Sequence, residues 1–93
     1  MSNLTIIAID LEETENLLRE ALIKEKVYLQ IGIDKTLNRI REFEAKYTAT
    51  LDQIVKQEKE IDHTDLIEWE GEVEVLKRLK KKILNLEQIE ICT

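Results

Sequence analysis

The chain has no proline, two glycines and a single cysteine in 93 residues. Sandwiches and barrels depend on frequent tight turns built from glycine and proline, so this composition argues against them. One thiol, Cys92, can form neither an internal disulfide nor a cysteine-rich metal site, and it fits a reducing compartment. No window approaches the roughly 20 apolar residues that span a bilayer. Leu4–Ile9 is too short for the core of a secretory signal. A soluble, cytoplasmic chain with no membrane role is therefore expected.

What is abundant is charge. Charged residues make up 37% of the chain and hydrophobic ones 43%, enough periodic apolar side chain to support a core. Twenty acidic residues stand against 14 basic ones, a formal net charge of −6. A free nucleic-acid-binding domain is usually basic, so nucleic acid is not the expected partner. The balance suits a small basic protein as partner, and it equally suits plain solubility. Ninety-three residues allow one domain, and so small a core is marginal without a partner.

The apolar spacing is helical over most of the length. Asp10 can cap a helix whose first turn holds Glu12, Glu13 and Glu15. Leu22, Leu29, Ile33, Thr36, Ile40, Phe43 and Tyr47 then follow a heptad-like seam, with Lys26 at the imperfect position. This predicts a long helix over 11–47, about 55 Å in length. Val27, Leu29, Ile31 and Ile33 also alternate with Tyr28, Gln30 and Gly32, a strand pattern that competes with the helix. The helical spacing on both sides favours a continuous helix.

Thr50 and Gln53 form a capping-box pair opening a short helix over 50–60. Asp62 or Thr64 can cap a last helix over 64–87, whose apolar face carries Leu66, Trp69, Val73, Leu76, Ile83 and Leu86. Its basic run, Lys77, Arg78, Lys80, Lys81 and Lys82, would oppose the helix dipole near the C-terminus. Residues 1–10 read as an extended apolar arm, and 88–93 as a tail in which Ile89 and Ile91 alternate with Glu90. The expected fold is all-α: a long antiparallel helical hairpin with a short connecting helix. Two such hairpins would complete a four-helix or coiled-coil bundle.

No catalytic constellation emerges. His63 lies between Asp62 and Thr64 where a helix begins, and no nucleophile accompanies it. Glu68, Glu70, Glu72 and Glu74 recur at spacing two, which on a helix spreads them over different faces rather than around one ion. No enzyme, cofactor or metal is expected. Gly71 stands inside the last helix, where glycine costs about 1 kcal/mol relative to alanine. A backbone or ring approaching closely would explain it. Trp69, with Phe43 and Tyr47, fits either the core between the long helices or an interface anchor.

The stretch Ile40-Arg41-Glu42-Phe43-Glu44-Ala45-Lys46-Tyr47, then Leu51, Ile54 and Leu66-Ile67-Glu68-Trp69-Glu70-Gly71, resembles small helical prokaryotic proteins that look like antitoxin components of toxin–antitoxin pairs. The likeness covers roughly residues 38–86. That family pattern usually has glycine after the tyrosine, where this chain has Thr48. The resemblance implies a non-catalytic protein that associates with itself and binds a partner through helical surfaces.

The expected function is thus an antitoxin-like module that neutralises a basic protein by occlusion. Its expected interface comprises Ile40, Phe43, Tyr47, Trp69, Val73 and Leu76, with Glu68 and Glu72 supplying charge. The alternative is a self-assembling structural module, in which reversing the acidic charges would barely affect assembly.

Overall fold

The computed structural model describes residues 11–92. The expected extended arm over 1–10 lies outside the described residues. Three helices follow in order: α1 (Leu11–Tyr47), α2 (Leu51–Lys56) and α3 (His63–Cys92). The chain is all-helical, with no strand among the described residues, and α1 and α3 pack against each other. Their pairing is antiparallel. Gly32 faces Leu79, Arg39 reaches Glu72, and Lys46 reaches Asp65, so numbers rise on one helix as they fall on the other. The product is a rod 64 Å long and 18–25 Å across.

The heptad-like seam is the buried face of α1. Leu29, Ile33, Thr36 and Ile40 are buried, and Phe43 and Tyr47 pack on the core beyond them. The helices approach closely at Gly32, where an added Cβ would stand 3.2 Å from Leu79 Cδ1. Val27–Ile33 is helical, so the strand pattern there misleads. Leu29 and Ile33 form one i,i+4 pair facing inward, and Val27 and Ile31 form a second, exposed pair on the opposite side. Two interleaved helical stripes offset by two residues read as alternation.

The turn end is closed without glycine. Thr48, at φ 50°, ends α1, and the Ala49 N–H donates to the Glu44 carbonyl at 3.2 Å. Glu58, at φ 47°, ends α2, and the Lys59 N–H donates to the Ile54 carbonyl at 3.1 Å. Both are Schellman closures with a non-glycine residue in the left-handed position. Thr50 and Gln53 complete the capping box, each side chain bonding the other's backbone N–H. Asp62 caps α3 by accepting from the Thr64 and Asp65 N–H groups.

Three expectations need correction. The short helix stops at Lys56 rather than near residue 60, because the closure at Glu58 ends it. The tail expected over 88–93 is helical through Cys92, since no glycine or proline stops a helix already propagating. The basic run consequently lies in the body of α3, with no basic residue in its last turn. The dipole acts mainly within that turn and gives Lys77–Lys82 no special support.

Candidate functional site

Trp69 is the centre of the turn end, with 0% of its surface exposed. The heptad seam delivers Phe43 and Tyr47 from α1 to stack with it. Phe43 stacks on it at 5.5 Å between ring centroids, 13° from parallel, and Tyr47 at 6.0 Å and 23°. Ile40, Ala49 and Ile54 are buried in the same cluster, and Leu51, Ile61, Val73 and Leu76 pack against it. The indole Nε1 is buried without a hydrogen-bond partner, a penalty the surrounding apolar contact must offset.

A polar clasp closes over this core. Lys46 Nζ donates to Asp65 Oδ2 at 2.6 Å, and the Tyr47 hydroxyl donates to the same oxygen. That hydroxyl also accepts from the Asp62 N–H at 3.3 Å. The Lys46 hydrogen bond, then that of Tyr47, holds the Asp65 carboxyl below the usual range. The Asp65 carboxylate in turn raises both Lys46 and Tyr47 above their ordinary values.

Beside the core, α1 and α3 flank a groove of about 530 Å³. Phe43 and Val75 supply its apolar lining, Glu42, Glu68 and Glu72 its acidic groups, and Arg39 and Lys46 the opposing charge. Arg39 Nη1 donates to Glu72 Oε1 at 3.0 Å across it. Gly71 also lines the groove, and a Cβ there would meet nothing within 4 Å. The expected close approach at Gly71 is therefore wrong. The glycine leaves open space, and the close helix contact belongs to Gly32.

The structure divides the expected interface in two. Ile40 and Trp69 are sealed inside, and Phe43, Tyr47, Val73 and Leu76 pack on that same core. Ile40 and Trp69 are thus turned into the hairpin's own core, whereas Phe43, Tyr47, Val73 and Leu76 are only partly buried. Glu68 and Glu72 do face the groove, and Phe43 contributes to both core and groove. Sequence reasoning missed Arg39, Glu42, Lys46 and Val75. Arg39 and Glu42 at i, i+3 and Lys46 at i+7 were the available signal for a charged α1 edge.

His63 is exposed at the start of α3. Among the described residues, no three His, Cys, Asp or Glu side chains converge to hold a metal ion, and no helix is long and apolar enough to cross a membrane. Compared with known protein families, curated proteins and solved structures, the chain matches none.

Proposed function

We propose that this chain is a non-enzymatic helical binding module that takes a basic segment of a protein partner into the groove beside Gly71. One observation carries the reading: an open groove with three carboxylates lies beside the buried aromatic cluster of the hairpin. A partner lysine or arginine can lay its aliphatic stem on Phe43 and Val75 and present its charge to Glu42 and Glu68. Glu72 is already engaged by Arg39, so a guanidinium from the partner would compete for it. Preorganisation by the stacked aromatics lowers the ordering cost of docking. The net charge of −6 favours encounter with a basic surface.

The narrower antitoxin-like reading rests on the resemblance of residues 38–86. Under it, the engaged basic segment belongs to the partner's active site, and occlusion neutralises it.

Gly71→Leu tests the groove directly. The new side chain enters open space on an exposed stretch of α3, so the fold persists while the groove fills. Tagged wild-type and Gly71→Leu chains would be purified in parallel from the native host. A basic protein recovered at near-equal stoichiometry with wild type, and lost with both Gly71→Leu and Glu68→Lys, supports the reading. Equal recovery by all three baits overturns it.

A further inference from the structure

The outward side of α3 carries its charge in two blocks of opposite sign. Between Leu66 and Leu76 every charged residue is acidic, and between Leu76 and Ile83 every one is basic. Ile67, Glu70, Glu74, Lys77, Lys81 and Leu84 follow one another at gaps of three and four, so they form a single stripe. All six are exposed, Ile67 and Leu84 by 58% each. Leu79 faces Gly32 of α1, and Lys77 and Lys81, two residues to either side, lie about 160° around α3 from it. The blocks work against the isolated chain. Glu70 and Glu74 repel at i,i+4, as do Lys77 and Lys81. Glu74 shares an exposed ion pair with Arg78 at 3.6 Å, whereas Glu70, Lys77 and Lys81 make no ion pair among the described residues.

We propose that this stripe is the interface of a symmetric homodimer, with α3 of one copy packed antiparallel on α3 of the other about a two-fold axis between Val75 and Leu76. That axis sets residue i beside residue 151 minus i. Glu70 then faces Lys81, Glu74 faces Lys77 and Ile67 faces Leu84, and symmetry makes each pair twice. From His63 to Gln88 the operation sets no residue beside another of like charge.

The charge order also selects the occupant and its direction. A parallel pairing in register would lay acid on acid and base on base, whereas the antiparallel one opposes the two blocks throughout. A second copy therefore matches the stripe in charge where it is charged, and in apolar contact at both of its ends. None of the six residues lines the Gly71 groove, so this proposal does not rest on the reading above. It makes assembly depend on the acidic charges, unlike a module held by apolar contact alone.

Sedimentation equilibrium of the full chain at tens of micromolar and low salt is the first test. A mass twice 11.0 kDa is expected, with the Kd rising ~10-fold or more at about 0.5 M salt as the ion pairs are screened. A monomer at low salt, or a dimer indifferent to salt, overturns the proposal. Glu70→Lys with Glu74→Lys makes the charged part of the stripe wholly basic, and Lys77→Glu with Lys81→Glu makes it wholly acidic. Either double variant alone should raise the Kd ~100-fold or more. The helical spectrum should hold in both, because all four positions are exposed. Mixed one to one, the two variants should form a heterodimer; two helical monomers in the mixture refute contact of stripe on stripe. Direction is read by oxidative cross-linking in a Cys92→Ser background. Ile67→Cys should link to Leu84→Cys and not to itself, because two copies of position 67 stand about 26 Å apart along the helix axis. Self-linking of Ile67→Cys refutes the antiparallel register.

Discussion

The two ends of the hairpin are built differently. At the turn end, a fully buried tryptophan stacks with two aromatics, two Schellman closures and a capping box fix the chain, and a carboxylate clasps both long helices. At the open end, α1 runs beyond the reach of α3. The pairings Arg39–Glu72 and Lys46–Asp65 sum to 111, which sets Leu22 opposite Ile89 and leaves Leu11 with no α3 residue across from it. Leu11 is accordingly 73% exposed and Leu18 60%, although both continue the inward face. One helix therefore passes from a cooperatively packed region to a thinly covered one. Stability should be graded along the rod, highest at Trp69 and lowest toward Leu11.

Paired truncations test that gradient most severely. Trp69→Ala should cost about 3–5 kcal/mol, a large part of the stability of a domain this small. Leu18→Ala, an apolar truncation at the other end, should cost under about 0.5 kcal/mol. Urea unfolding followed by circular dichroism gives both values. Comparable losses would show that the open end is as well covered as the turn, and would remove the contrast. Amide exchange offers a residue-level version, with protection falling from Phe43 back toward Leu11.

The next largest effects separate the two glycines and the two left-handed residues. Gly71→Ala should stabilise by about 1 kcal/mol, since α3 gains helix propensity and the new Cβ enters open space. Gly32→Ala should gain less, because its Cβ meets Leu79 Cδ1 at 3.2 Å and that side chain must give way. A larger gain at Gly32 would contradict the close approach there. Thr48→Gly should stabilise by up to about 1 kcal/mol, relieving a β-branched residue held at φ 50°. No gain would mean that Thr48 makes compensating contacts.

These residues also show what could be read in advance. The helices, the seam from Leu29 to Tyr47, the capping box and the antiparallel pairing follow from local spacing and cap chemistry, which a sequence displays. The stops were harder. A Schellman closure normally announces itself by glycine, and here Thr48 and Glu58 fill both left-handed positions, so the end of α2 was misplaced. Nothing in Gln88–Cys92 stops a helix, yet the alternation of Ile89 and Ile91 suggested an extended tail. Val27–Ile33 posed the same ambiguity, because a helix with two apolar faces imitates a strand. The groove was illegible for a different reason. It depends on which edge of each helix turns toward the other, a rotation set by packing around Trp69 and by Arg39–Glu72.

The smallest expected effect is the pH dependence of the clasp, and its sign follows from the three groups in it. Asp65 is lowered, first by the Lys46 hydrogen bond and then by that of Tyr47. Its contribution is present above its ordinary value of 3.8 and is lost as pH falls through the lowered folded value. Lys46 and Tyr47 are raised above 10.5 and 10.0, in each case chiefly by the hydrogen bond with Asp65. Their contribution is complete below those values and is lost as pH rises through the raised ones. The clasp should therefore stabilise the turn end over a plateau between about pH 4 and pH 10. Urea midpoints of wild type and Asp65→Asn, followed by Trp69 fluorescence, should differ by a constant amount on that plateau and converge at both ends. A difference that persists at low pH would assign the Asp65 contribution to packing rather than charge. Convergence at low pH alone would leave the carboxylate as the only titrating member of the clasp that matters to the fold.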